Sequence, residues 1–169
     1  MKDRISTLRI VGKFAVSLIA VVVIQGIVAS KFRVFSYFDL PLICSVFYGF
    51  TLGRPIASIL IGSSLGLMQD SLSGAVVGAN GFSKTVVGYL AAIAVSKFAV
   101  DQPITRIFAL FLFSLADGLL VSILGVMVGV APNSPYGGVV GGWMLTATFN
   151  TLLGLVFFGY HDRTRNATT

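Results

Sequence analysis

Apolar runs alternate with short polar or glycine- and proline-containing breaks along the whole chain. A membrane-spanning helix needs about 20 predominantly apolar residues, and most of these runs approach that length. The pattern predicts six spans, at about residues 10–29, 38–52, 55–70, 80–98, 104–130 and 139–160. The second run is short for a full span, and it opens on Asp39, whose carboxylate suits a helix N-cap. We therefore expect an all-α integral membrane protein that forms a single polytopic domain over residues 1–169.

The third span carries a stripe of small residues that ends in a carboxylate. Residues four positions apart lie on one face of a helix, and here they are Ser58, Gly62, Gly66 and Asp70. A glycine-rich turn with Gly74 and Gly78 follows before the fourth span. Small residues let membrane helices approach closely. The stripe therefore predicts either tight packing inside the bundle, which we favour, or a partner-binding face made by Ser58, Gly62 and Gly66.

The composition supports a membrane protein and changes the meaning of the positive charge. Hydrophobic residues make up 56% of the chain and charged residues only 11%, against roughly 25% charged residues in an average soluble domain. The net charge is +6, but Lys and Arg are scattered at the ends of the spans instead of clustered on one face. This distribution argues against nucleic acid as a partner.

The same cations predict the orientation in the membrane, because cytoplasmic loops carry an excess of Lys and Arg. With the N-terminus inside, the cytoplasmic cations are Lys2, Arg4, Arg9, Lys13, Arg54, Lys97, Arg106, Arg163 and Arg165. Lys31 and Arg33 lie outside, and Lys84 lies just within a span near that side. We therefore predict that both termini are cytoplasmic. A five-span topology is the second choice, since it would move one group of cations outside.

Polar side chains interrupt the later spans. Asp117 lies near the middle of the fifth span, where a carboxylate costs at least about 2.5 kcal/mol, and Asn150 has a similar depth in the sixth. We predict a buried polar pair in which Asp117 and Asn150 are hydrogen-bonded, with a proton or ion site at Asp117 as the alternative. Lys84 lies in the first turn of the fourth span, and we expect it to reach the interface or to pair with Asp70 or Asp39.

Residues that usually perform catalysis or bind metals are scarce. The chain has one histidine, His161, one cysteine, Cys44, and no glutamate. A nucleophile–base pair, a phosphate-binding loop or a zinc-ligand spacing cannot be assembled from these residues. We expect no catalytic residue, no cofactor and no metal ion.

The segment from the third to the fourth span resembles the bacterial rod shape-determining protein MreD family. The matching motif positions are Gly66, Gln69, Asp70, Ser73, Gly74, Gly78, Gly88 and Tyr89. The basic N-terminal end and the short second span that contains a proline are also similar to the family. One departure is at that second span, where Asp39 precedes Pro41, whereas in the family a proline often precedes the acid or amide.

The resemblance implies a non-enzymatic subunit of the elongasome in the bacterial plasma membrane, which supports peptidoglycan synthesis and rod cell shape. Members of the family bind the single-span protein MreC, act with the polymerase RodA and its transpeptidase partner PBP2, and act indirectly with MreB filaments. The implied fold is similar to the six-helix substrate-binding subunit of energy-coupling-factor transporters. A vitamin-binding subunit of such a transporter is the alternative function, although the first span lacks the small-residue docking stripe that this role requires.

Overall fold

The computed structural model describes residues 19–27, 37–73, 77–97, 102–129 and 138–166. These residues form six helices and no strand, which confirms the all-α prediction for the described part of the chain. The helices are α1 (described over 19–27), α2 (Leu40–Leu52), α3 (Pro55–Ser73), α4 (Ala79–Lys97), α5 (Pro103–Met127) and α6 (Gly138–Asn166). Most of the first predicted span, the connection 28–36 and Gly74 lie outside the described residues.

Helix α2 is the central helix of the bundle although it is the short one. It packs against α3, α4, α5 and α6, and its residues from Pro41 to Phe47 are buried. Val22 of α1 adds a contact with Cys44 and Leu65. At 1.5 Å per residue, the 13 residues of α2 span about 20 Å, which is less than the roughly 30 Å of a hydrocarbon core. Helix α2 is therefore shorter than a full span, and its N-cap residue Asp39 is buried in the bundle.

The small-residue stripe of α3 packs against α4. A Cβ atom on Gly62 would overlap the backbone of Lys84, and one on Gly66 would lie 2.6 Å from the Cα atom of Gly81. A Cβ on Gly88 would lie 2.9 Å from the carbonyl oxygen of Ser58. Because α4 covers Ser58, Gly62 and Gly66, the proposal that they form a partner face is wrong, and the favoured alternative of internal packing describes them.

An aromatic and aliphatic core holds the buried face of α2 to the neighbouring helices. The ring of Phe47 lies 4.9 Å from the ring of Phe157 and 5.6 Å from that of Phe158. The buried cluster consists of Leu42, Ile43, Val46, Phe47, Val87, Ala91, Leu110 and Phe158. The N-terminal end of α2 lies next to this core, and polar side chains from five helices meet there.

Among the described residues, two helices are long and apolar enough to cross a membrane, over Ile104–Met127 and Val140–Gly159. Helix α2 is apolar but shorter. Helices α3 and α4 are less hydrophobic than α2 and α5. They carry the serines and glycines of their mutual contact and the polar residues Gln69, Asp70, Asn80 and Lys84. Part of their polar content therefore lies inside the bundle, with Ser58, Asp70, Ser83 and Lys84 buried.

Candidate functional site

Lys84 is the centre of a buried polar cluster at the N-terminal end of α2. Its side chain is 0% exposed, and it is the largest fully buried side chain of the described residues. Its Nζ atom lies 2.9 Å from Asp39 Oδ2, 3.1 Å from Asn80 Oδ1 and 3.6 Å from Asp117 Oδ1. An ammonium group has three donors, and three acceptors surround this one. We call Lys84, Asp39, Asn80, Ser83 and Asp117 the Lys84 cluster.

The position of Lys84 corrects the sequence prediction in two respects. The side chain does not point out of the bundle, because it is fully buried and its ammonium group contacts Asp39, Asn80 and Asp117. Its carboxylate partners are Asp39, which was one of the two predicted partners, and Asp117, which was not predicted. Asp70 is connected to Lys84 only through Asn80, whose Nδ2 donates to Asp70 Oδ1 over 2.8 Å.

Asp39 is both the partner of Lys84 and the cap of α2. Its Oδ1 atom accepts a hydrogen bond from the backbone N–H of Leu42 over 3.0 Å, and Gln69 Nε2 lies 3.5 Å from Oδ2. The carboxylate also lies at a helix N-terminus, where the partial positive charge of the helix stabilises an anion. Asp39 therefore has the support that a buried ionised carboxylate requires.

The first backbone N–H groups of α2 are bonded by amide side chains of other helices. The N–H of Asp39 donates to Asn150 Oδ1 of α6 over 2.8 Å. The N–H of Leu40 donates to Gln25 Oε1 of α1 over 2.7 Å, and Gln25 Nε2 donates to the carbonyl of Phe38 over 2.8 Å. Unbonded backbone groups are very costly at membrane depth. These amides therefore allow α2 to start inside the bundle.

Asp117 and Asn150 are both buried, but the predicted hydrogen bond between them is wrong. Ser83 Oγ donates to Asp117 Oδ1 over 2.6 Å. Asn150 uses its oxygen for Asp39 and donates through Nδ2 to Ser114 Oγ over 3.0 Å. The two residues were paired because their depths match, but the start of α2 takes up the Asn150 oxygen and α4 supplies the partners of Asp117.

Asp70 closes the connection between α3 and α4. Its Oδ2 atom accepts from the N–H groups of Gly78 (2.8 Å) and Gly81 (3.1 Å), and Oδ1 accepts from the N–H of Asn80 (3.2 Å) as well as from its side chain. Gly78 has a φ of +96°, a conformation that favours glycine. Gly66, Asp70 and Gly78 thus form one structural unit in which the helices touch and the turn is fixed.

Replacing Asp70 by alanine is expected to lower the free energy of unfolding by about 2–3 kcal/mol, because hydrogen bonds to a charged group contribute about 1.5–3 kcal/mol each and water replaces part of them. Thermal unfolding of the purified protein in detergent measures the effect. Ser71→Ala is the matched control, since the exposed Ser71 hydroxyl donates only to Leu67 of its own helix. Equal unfolding midpoints for the two variants would contradict the structural role of Asp70.

Several members of the site escaped sequence reasoning. Ser83, Asn80, Gln25 and Ser114 were not predicted to be site residues, although Asn80 precedes Lys84 by four residues and therefore lies on the same face of α4. The side-chain oxygen Oε1 of Gln69, a motif residue, is shielded from solvent and has no hydrogen-bond partner among the described atoms. For each of these residues, the signal in the sequence was a polar side chain in an apolar run, at the same depth along its helix as a charged residue of a neighbouring span.

The arrangement joins helices and offers little for catalysis. Within the described residues no group of three or more His, Cys, Asp or Glu side chains could hold a metal ion. Cys44 is a buried free thiol, and the side chain of His161 is not among those described. The charged groups bond to one another and to backbone N–H groups, which is the behaviour of a structural network.

A family model described as rod shape-determining protein MreD matches residues 6–163 of the chain. No curated protein matches the chain, and no solved structure matches it. The match covers almost all of the 169 residues, including every described helix up to the last turn of α6. The likeness to the transporter subunits therefore stays a prediction.

Proposed function

The chain belongs to the MreD family of rod shape-determining membrane proteins, and from this premise we propose that it is a non-enzymatic subunit of the elongasome that binds MreC and supports peptidoglycan synthesis. The family match over residues 6–163 carries the proposal. The contribution of the chain is to hold a rigid helical surface at membrane depth, against which a partner helix packs.

The interior of the bundle supports a structural role. The polar side chains bond to one another across α2 to α6 and leave little free capacity for a substrate. The outward faces of α5 and α6 are apolar, with Ile104, Phe108, Val140 and Val156 each more than half exposed. Such faces suit either lipid or the single membrane span of a partner, and membrane helices associate mainly by close packing.

We further propose that the protein crosses the plasma membrane several times with both termini in the cytoplasm. In the helix order α2 to α6, Arg54 in the α2–α3 connection, Lys97 in the last turn of α4 and Arg106 in the first turn of α5 lie at one end of the bundle. Lys84, Asp39 and Asp70 lie toward the other end. The positive-inside rule favours the first end as the cytoplasmic one.

The further partners proposed are the polymerase RodA and the transpeptidase PBP2, contacted directly or through MreC, with MreB filaments acting indirectly on the cytoplasmic side. A scaffold of this kind contributes by bringing enzymes together, which makes its own active site unnecessary. The protein therefore needs neither a cofactor nor a metal ion for this role.

Depletion of the protein in its host bacterium tests the proposed role in cell shape. Cells are expected to lose rod shape and become rounder while labelled peptidoglycan precursors are no longer incorporated along the side wall. Expression of the wild-type chain from a second copy should restore both. Unchanged width and unchanged side-wall incorporation after depletion would contradict the proposal.

A further inference from the structure

The Lys84 cluster contains one cation and two carboxyl groups. Asp39 of α2 and Asp117 of α5 both face the ammonium group of Lys84. The other titratable groups nearby are Asp70 of α3, which is reached through Asn80, and the thiol of Cys44, further along α2. The described residues of α1 and α6 contribute neutral amides to this region, Gln25 and Asn150. With both carboxyl groups ionised, the cluster would hold an uncompensated negative charge.

Such a charge is costly at this position. Asp117 lies 14 residues after Pro103 and 10 residues before Met127 on the sequence of α5, so it is at least about 15 Å from either end of the helix. An uncompensated ion buried in protein costs several kcal/mol, and an aspartate at mid-membrane is costly on every scale. A proton on one of the two carboxyl groups removes the excess charge.

The contacts of the two residues differ and indicate which of them takes the proton. Asp39 makes the shorter contact with Lys84 and accepts a hydrogen bond from the N–H of Leu42. The partial positive charge at the N-terminus of α2 also stabilises its carboxylate. Asp117 accepts a hydrogen bond from the hydroxyl of Ser83 and makes the longer contact with Lys84. Both contacts are made by the same carboxylate oxygen, Oδ1. Its second oxygen, Oδ2, is therefore the place where a proton leaves these contacts intact.

We propose that Asp117 stores one exchangeable proton on Oδ2, so that the Lys84 cluster is an electrically neutral junction between α2–α4 and the α5–α6 pair. Asp117 is the last buried residue of the described part of α5, and it contacts α4 through Ser83 and Lys84. When the proton leaves to water, the O–H bond breaks and the electron pair stays on the carboxylate. The negative charge then left inside the bundle destabilises this junction.

Storage of a proton has a measurable consequence for stability. Above about pH 4 an aspartate in the unfolded chain has lost its proton, whereas the folded protein keeps the one on Asp117. The folded state thus binds more protons than the unfolded state, and stability falls as the pH rises. For one proton, the unfolding equilibrium constant rises up to tenfold per pH unit. In Asp117→Asn, which has the shape of the protonated acid, this part of the pH dependence should disappear.

Infrared spectroscopy of the full chain in lipid vesicles tests the proposal directly. At neutral pH the wild type should give the carbonyl-stretch band of one protonated carboxyl group, and selective isotope labelling of aspartate should shift it. The band should be absent in Asp117→Asn. A wild type without the band, or an Asp117→Asn protein that retains it, would overturn the proposal.

Ser83→Ala provides the second variant, and it does not remove a charged group. The Ser83 hydroxyl donates to Asp117 Oδ1, so its loss should shift the frequency of the protonated-carboxyl band without abolishing it. If Asp117→Asn fails to fold, this shift decides the question. A band whose frequency is the same in Ser83→Ala and the wild type would belong to another aspartate and would overturn the proposal.

Discussion

Lys84→Met is expected to lower the free energy of unfolding by about 3–5 kcal/mol, the range found when one partner of a buried ion pair is removed. Methionine fills a similar volume but supplies no donor, so Asp39 loses its 2.9 Å contact with the ammonium group and Asn80 loses a hydrogen bond. Thermal or denaturant unfolding of the purified protein in detergent micelles measures the change.

Lys97→Met is the control for this variant, because Lys97 lies at the exposed last turn of the same helix. Its unfolding midpoint should remain close to that of the wild type. A double variant, Lys84→Met with Asp39→Asn, should recover part of the lost stability, since it removes the charge that the lysine compensated. Equal stability of Lys84→Met and Lys97→Met would show that the buried ion pair does not hold the bundle together.

Gly66→Leu is expected to lower the free energy of unfolding by at least about 3 kcal/mol, at or above the usual range for overpacking a tight core. The three atoms nearest to a Cβ on Gly66 all belong to the backbone of Asn80 or Gly81. A backbone cannot rotate away as a side chain does, so α3 and α4 must move apart. The separation also pulls Asn80 of α4 away from Asp70 of α3.

Gly159→Leu is the matched substitution for Gly66→Leu. Gly159 is also a helical glycine, but among the described atoms a Cβ on it would have no neighbour within 4 Å. We expect nearly wild-type stability for Gly159→Leu and a large loss for Gly66→Leu, compared in the same detergent. If both variants are equally stable, the close contact between α3 and α4 is not required for the fold.

The sequence predicted the helical class, because long apolar runs separated by turn residues have no other solution in a membrane. It also predicted the close approach of Gly66 to a neighbouring helix, since three small residues and a carboxylate share one face of α3. The start of α2 was recognised from Asp39 and Pro41, and the structure places both in the first turn with Asp39 as the N-cap. These features depend on local spacing alone.

The composition of the Lys84 cluster depends on information that spacing does not contain. Whether Asn150 faces Asp117 or the first N–H of α2 depends on the rotation of α6 and on the depth at which α2 begins. The sequence placed Lys84 near the interface because it lies one turn into α4. In the structure the start of α4 lies beside the middle of α5, since Ser83 contacts Asp117. Relative helix depth and rotation are set by the sum of many tertiary contacts.

The interior and the surface of the bundle differ in what they contribute to the proposed function. Inside, Asp70 and the Lys84 cluster fix the relative positions of α2 to α5, and destabilising variants there should reduce the amount of protein in the membrane. Outside, the apolar faces of α5 and α6 are where substitutions should weaken partner binding while stability is retained. Comparing the two groups separates loss of the fold from loss of an interface.

Copurification of the tagged full-length chain from host membranes tests the proposed function most directly. We expect MreC to be recovered with the wild-type protein, together with RodA or PBP2, and to be recovered equally with the stable control Ser71→Ala, whose side chain lies on α3 and not on the outward faces of α5 and α6. A vitamin-transporter subunit would instead bring down a pair of ATPases. Recovery of the ATPase pair without MreC would contradict the account.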